Sequence, residues 1–129
     1  MTSGRQLLKI SAVYLAVGSL LGLFMGIRQD FALTSVHAHI SLLGWLAFAV
    51  AGIVYTLIPA CAASKLARVH FWGHNIGFPA MMIALGLHSY GIGEAEPVIA
   101  VSSMVVAASL LVLVANLLMN AHKEQLQGT

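Results

Sequence analysis

Four apolar runs make up most of this chain of 129 residues, and only short polar breaks separate them. The runs cover residues 7–27, 36–58, 69–90 and 97–119. A helix that crosses a bilayer needs about 20 consecutive, mostly apolar residues, so each run is long enough to cross. We therefore predict an all-α integral membrane protein, with residues 1–129 forming a single domain of four transmembrane helices.

The composition excludes a water-soluble fold. Hydrophobic residues make up 60% of the chain and charged residues 8%, whereas soluble domains carry about 25% charged residues. The lipid bilayer is thus the expected surrounding. The basic residues are scattered and form no patch, so no nucleic-acid partner is predicted. Cys61 is the only cysteine, which excludes an intrachain disulfide and a Cys-x-x-Cys site.

The basic residues at the ends of the runs predict the orientation. One membrane face would hold Arg5, Lys9, Lys65, Arg68 and Lys123, and the opposite face would hold Arg28. Because loops rich in Lys and Arg stay in the cytoplasm, we predict cytoplasmic termini in a bacterial cytoplasmic membrane. The connections are short, which makes consecutive helices antiparallel neighbours in an up-down-up-down bundle. The first run is too long for the apolar region of a signal peptide.

Small and polar residues at helical spacing predict packing faces. Gly18, Gly22 and Gly26 remove side chains from one face of the first helix, so that another backbone can approach closely. The partner could be a helix of the same chain or of a second copy, and we expect a homo-oligomer. On the fourth helix, interhelical hydrogen bonds are predicted for Ser102, Ser109 and Asn116.

Six histidines accompany only four acidic residues, and five of the six lie in or at the ends of the runs. Ionisable groups inside a membrane are costly, so each one is a functional candidate. At about 100° per residue, His70, His74 and His88 share one face of the third helix. His37 and His39 point to different sides of the second helix, because they are two residues apart.

We predict a haem-iron site between His37 and His88, which antiparallel pairing places near the same membrane face. Two opposed imidazoles can hold haem iron axially. The small residues Ser41 and Gly44 beside His37 would leave a slot for a flat ligand, and Trp45 would pack against it. For His39, His70 and His122, simple hydrogen bonding is the preferred interpretation.

A second and more speculative site involves His70 and His74, which are four residues apart on one helix face. Such a pair could bind copper or zinc, although only Cys61 adds a further ligand type nearby. The alternative is that each imidazole satisfies a carbonyl or a neighbouring helix by hydrogen bonding.

Two segments resemble the amino-terminal helices of the catalytic subunits of haem-copper oxidases and nitric oxide reductases. The first contains His37-Ala38-His39, Gly44-Trp45 and an ending at residues 55–59 that reads Tyr-Thr-Leu-Ile-Pro. The second, residues 70–77, reads His-Phe-Trp-Gly-His-Asn-Ile-Gly. The resemblance covers residues 20–80 and implies that His37 matches the histidine that binds the low-spin haem.

The chain also departs from that family. The family has twelve helices, and its later helices largely supply a second haem and three histidines that bind copper. The family's second axial ligand to the low-spin haem has no counterpart in this chain. The family's arginine before the helix-two histidine is missing, and Leu33 and Thr34 stand in that region. Reduction of oxygen or nitric oxide by this chain alone is therefore not expected. No nucleophile with a base, paired carboxylates or phosphate loop indicates another enzyme.

Three functions are compatible with these features. The first is a small haem b protein, related to oxidase subunit I, that transfers electrons from a respiratory-chain donor or senses a gas or redox state. The second is a membrane protein that binds copper or zinc and serves metal handling or oxidase assembly. The third is a non-catalytic accessory subunit whose histidines only form hydrogen bonds between helices.

Overall fold

The computed structural model describes residues 1–124, and every regular element among them is helical. Four long helices occur, which we label α1 (Gly4–Arg28), α2 (Thr34–Leu57), α3 (Lys65–Ser89) and α4 (Glu96–Asn120). A short helix, Pro59–Ala63, joins α2 to α3, and 3₁₀ turns at Gly93–Ala95 and Ala121–Glu124 flank α4. The all-α prediction is confirmed.

Local chemistry sets the ends of these helices. The Ser3 hydroxyl accepts from the Gln6 amide at 3.3 Å and caps α1, while Ser64 caps α3 by accepting from Leu66 at 3.1 Å. Gln29 ends α1 in the left-handed conformation, with φ of 53°. Helix α2 ends just before Pro59, because a proline has no amide hydrogen to continue the ladder of helical hydrogen bonds.

Three segments are long and apolar enough to cross a membrane: α1, α2 and the stretch Gly93–Lys123 that contains α4. Helix α3 is as long as α1, but its first half carries His70, His74 and Asn75, which lower its hydropathy. By length and composition, these three helices are typical of a membrane protein. A crossing by α3 stays a prediction.

The helices pack as two pairs, α1 with α2 and α3 with α4. In the first pair, the amide of Thr2 before α1 donates to the Ala62 carbonyl beyond α2 at 2.9 Å. In the second pair, a Cβ on Gly77 of α3 would lie 2.9 Å from the Val105 side chain of α4. Gly77 thus lets α3 and α4 approach closely.

A cluster of aromatic rings connects the two pairs. Phe48 of α2 is fully buried and stacks on His74 of α3, with ring centroids 3.8 Å apart. Tyr14 of α1 stacks on Phe48 at 5.5 Å and meets Phe78 of α3 edge-on at 5.2 Å. The core of the molecule therefore contains an imidazole as well as apolar side chains.

Candidate functional site

Helix α2 changes its hydrogen-bonding pattern over Ile40–Leu46, where it is π-helical. In such a segment each amide bonds to the carbonyl five residues earlier, and π segments are frequent at functional sites. The amide of Ala47 donates to Leu42 and not to Leu43, which lies four residues back. The Leu43 carbonyl thus loses the donor that a regular α-helix would provide, and a buried carbonyl without a donor is costly.

His74 of α3 provides the missing donor. Its Nε2 atom lies 3.0 Å from the Leu43 carbonyl oxygen. A carbonyl oxygen can only accept a hydrogen bond, so Nε2 of His74 must carry the hydrogen. The π segment of α2 therefore leaves the Leu43 carbonyl free to accept from His74, and His74 satisfies that carbonyl.

This bond determines the protonation of the next two groups. His70 and His74 are both 0% exposed, and a buried charge without a counter-ion is costly, so we infer neutral rings. Nδ1 of His74 then accepts from Nε2 of His70 at 3.3 Å. Nδ1 of His70 in turn accepts from the Tyr55 hydroxyl at 3.0 Å. We call Tyr55, His70, His74 and the Leu43 carbonyl the buried polar chain.

Asparagines form a second polar group at the end of α4. The Asn116 side chain donates to the Cys61 carbonyl at 3.0 Å. Asn120 donates to Asn116 at 2.8 Å. Among the residues described, every buried side-chain nitrogen or oxygen has a hydrogen-bond partner. The buried polar groups of α2 and α3 therefore satisfy one another, and those of α4 are satisfied at the short helix Pro59–Ala63 and within α4.

The serines of α4 form different bonds from those predicted. Ser102 and Ser109 are buried, but their hydroxyls donate to Val98 and Val105 of their own helix, at 2.6 Å and 2.7 Å. The prediction of interhelical bonds is therefore wrong for both serines. A serine hydroxyl easily reaches the carbonyl four residues back, whereas the longer Asn116 side chain reaches the neighbouring helix.

The predicted copper or zinc pair is engaged in hydrogen bonds. All four ring nitrogens of His70 and His74 have a partner. A metal ion bound to either ring would have to replace one of these three hydrogen bonds. Within residues 1–124 no group of three His, Cys, Asp or Glu residues is placed to hold a metal ion.

His37 contacts α1 through a different arrangement. Its Nδ1 lies 3.0 Å from the Gly18 carbonyl oxygen, and a Cβ on Gly22 would lie 2.8 Å from its Cε1. The carbonyl requires a hydrogen on Nδ1, which leaves the lone pair on Nε2. A histidine held by a carbonyl in this way is typical of metal ligands. The half-buried His37 ring therefore has a donor set that fits one axial haem ligand.

Among residues 1–124, no hydrogen bond or ring contact joins the His37 ring to the other predicted haem residues. His88 is exposed near the end of α3, and the Ser41 hydroxyl donates to the His37 carbonyl at 2.9 Å. A Cβ on Gly44 would lie 2.9 Å from the Tyr14 ring and 3.0 Å from the Phe78 ring. The slot expected beside Gly44 is thus filled, because small residues let α1 and α3 approach α2. Trp45 is half-buried.

The chain matches no protein-family model, no curated protein and no solved structure. The resemblance to oxidase helices therefore remains a sequence-based hypothesis. Sequence reasoning missed Tyr55 as the partner of His70. If the second and third helices are antiparallel and Ile58 lies opposite Val69, Tyr55 lies opposite Trp72, which is close to His70. The π segment had no signal of its own in the sequence.

Proposed function

We propose that all four helices cross a bacterial cytoplasmic membrane in an up-down-up-down bundle with cytoplasmic termini. The packing of α1 with α2 and of α3 with α4 supports this topology, as does the bond from the Thr2 amide to the Ala62 carbonyl, which joins the start of α1 to the chain just beyond α2. A crossing by α3 is supported by large apolar side chains that it exposes between Arg68 and His88: Val69, Trp72, Ile76, Ile83 and Leu87. The polar rings of His70 and His74 do not oppose lipid contact on this face, because both are buried against other helices.

We infer that the protein binds haem b through Nε2 of His37 and serves electron transfer or gas and redox sensing. One observation carries this proposal: the bond from His37 Nδ1 to the Gly18 carbonyl leaves Nε2 as the lone-pair nitrogen. A bound haem would supply one-electron chemistry at iron, for which a respiratory-chain protein is the expected donor. The oxidase resemblance, with His37 in the ligand position, supports the same assignment.

The second axial ligand is proposed to come from His88 or from a second copy of the chain. His37 faces α1, and His88 lies exposed near the end of α3. Because the His88 ring is exposed, it is free to turn toward a haem held by His37 at the same end of the molecule. A homo-oligomer would instead bring two His37 rings to one iron.

An optical spectrum of protein purified after growth with haem precursor tests the proposal. We expect a Soret band with a low-spin spectrum, because two imidazoles give six-coordinate iron. His37→Ala should remove the haem or convert it to high spin. His39→Ala is the matched control, since its Nδ1 bonds to the Ser35 carbonyl of its own helix at 2.7 Å. Equal loss in both variants, or no Soret band at all, refutes haem ligation by His37.

A parallel variant, His88→Ala, distinguishes the two sources of the second ligand. If His88 is the ligand, its spectrum becomes high spin in the same way as that of His37→Ala. If a second copy supplies His37, His88→Ala keeps the low-spin spectrum, and one haem is found for every two chains.

A second candidate function is a non-catalytic accessory subunit. The observation favouring it is that His37, His70 and His74 each form a hydrogen bond to a helix other than their own. Absence of bound haem, together with lower thermal stability of His37→Ala, would support it. Metal analysis of the same preparation tests the remaining alternative, a copper or zinc protein.

A further inference from the structure

The first turns of α1 and α3 enclose an open groove at one end of the molecule. Its two adjoining cavities measure about 200 Å³ and about 460 Å³. Gln6, Phe71 and Trp72 line both cavities, Arg68 also lines the first, and Lys9 also lines the second. We call this surface, with its further apolar residue Ile10, the basic groove.

The basic groove combines cationic and apolar parts. Arg68 and Lys9 provide two positive charges, and Gln6 adds an amide that can donate hydrogen bonds. Ile10, Phe71 and Trp72 form the apolar part, with the two aromatic rings edge-on at 5.4 Å. No acidic side chain lines either cavity, so the two cations lack a counter-ion among the lining residues.

The position of the groove along the helices matches the headgroup level of a bilayer. Lys9 lies in the second turn of α1, and Arg68 and Trp72 lie in the first two turns of α3. Tryptophan is enriched at the membrane interface, and basic pockets between helices bind anionic lipid headgroups. An exposed Trp72 and Arg68 at this level are therefore placed to contact one lipid along its length.

We propose that the basic groove binds one anionic phospholipid. Its phosphodiester group lies between Lys9 and Arg68, where the guanidinium can donate two hydrogen bonds to phosphate oxygens. One acyl chain runs along Ile10, Phe71 and Trp72. The proposal rests on the membrane crossing of α1 and α3 in the proposed function, but it is independent of haem binding.

Fluorescence of Trp72 tests this site directly. Trp45→Phe leaves Trp72 as the sole tryptophan, and the protein is placed in phosphatidylcholine nanodiscs. Small fractions of brominated phosphatidylglycerol or brominated phosphatidylcholine are then added, because bromine on the acyl chain quenches a tryptophan that it contacts. We expect phosphatidylglycerol to reach half-maximal quenching at a mole fraction on the order of tenfold lower, given two basic contacts.

Two variants distinguish the groove from general surface charge. In the double variant Lys9→Gln with Arg68→Gln, the two brominated lipids should quench the Trp72 fluorescence equally. Arg5→Gln is the matched control, since Arg5 is equally exposed in the first turn of α1 but lines a different depression, with Tyr55 and Thr56 of α2. It should keep the preference. The conservative variant Lys9→Arg with Arg68→Lys should keep it as well, which excludes misfolding as the cause of the loss.

Three outcomes would overturn the proposal. Equal quenching by the two lipids in the starting protein removes the site. The same loss in Arg5→Gln as in the double variant shows attraction by net charge alone. Loss of the preference on adding inorganic phosphate at millimolar concentration assigns the groove to free phosphate instead of a lipid. None of these readouts depends on a Soret band, so failure of haem binding leaves the lipid site unaffected.

Discussion

At the residue scale, the direction of the hydrogen bonds in the buried polar chain is set at one end. The Leu43 carbonyl can only accept, so the donors must run from Tyr55 through His70 and His74 toward it. Reversing the direction would place a lone pair of His74 against the carbonyl oxygen. The hydrogen bonds therefore fit a single distribution of protons, in which the His70 and His74 rings are both neutral.

This proton distribution can be measured by ¹⁵N NMR of histidine-labelled protein. We expect the rings of His70 and His74 to show a protonated Nε2 and an unprotonated Nδ1, since each Nδ1 accepts a bond. The ring of His37 should show the opposite tautomer, because its Nδ1 donates to Gly18. Finding the same tautomer for all three rings would contradict the deduced directions.

Removing the donor to Leu43 should destabilise the protein. His74→Leu leaves the Leu43 carbonyl and the His70 N–H without partners, and each buried unsatisfied group costs about 1–3 kcal/mol. We expect a lower thermal unfolding temperature in detergent. In the control variant His39→Leu, a half-buried histidine bonded within its own helix is replaced. If both variants unfold at the same temperature, the bond to Leu43 does not contribute to stability.

At the element scale, α1 uses only part of its predicted glycine face within the chain. A Cβ on Gly18 would lie 3.0 Å from the Ile40 side chain, and one on Gly22 would meet His37, but Gly26 has nothing within 4 Å. The first two glycines therefore pack against α2. The partner of Gly18 and Gly22 is thus a helix of the same chain, whereas a Cβ on Gly26 would meet no other helix within residues 1–124.

This difference gives a matched pair of variants. Gly22→Leu inserts a side chain where the His37 ring lies 2.8 Å from the ideal Cβ, and overpacking typically costs about 1–3 kcal/mol. We expect lower thermal stability and, if haem is bound, an altered spectrum. Gly26→Leu should leave both unchanged within the monomer. A change in oligomeric state in Gly26→Leu alone would indicate that this end of α1 contacts a second copy.

The π segment is the other element-scale feature with a tertiary cause. Its residues, Ile40–Leu46, include a glycine and five apolar residues that a regular α-helix would accept. The Ala47 amide donates to the Leu42 carbonyl instead of the Leu43 carbonyl. This pattern is stabilised by His74, which donates to the Leu43 carbonyl. The apolar run predicted the helix, whereas its local winding depends on a side chain 31 positions later.

At the scale of the whole molecule, the proposed topology can be tested with reporter fusions. Fusions near Lys65 should be cytoplasmic, and fusions near Asp30 and Glu94 should be external, since charged residues of the loops set the orientation. The predicted cytoplasmic fusion at Gly128 lies outside the described residues. An external signal near Lys65 would show that α2 does not cross or that the orientation is reversed.

The number and order of the helices could be predicted from apolar run lengths, because helix formation inside a membrane depends on local composition. The candidate site could be predicted only in part. His37 was recognised from its place on a helix face and from the resemblance, but its bond to α1 could not be. The slot beside Gly44 was expected to be open because the sequence does not show that the Tyr14 and Phe78 rings fill it.

The sequence by itself determined that the chain is all-α and where its long helices lie. These properties follow from stretches of neighbouring residues. Only the tertiary structure decided which polar groups meet, as with Tyr55 and His70, 15 positions apart, or His74 and the Leu43 carbonyl. Such pairs depend on the rotation and depth of packed helices, which one sequence does not specify, because many side chains far apart in the chain set them together.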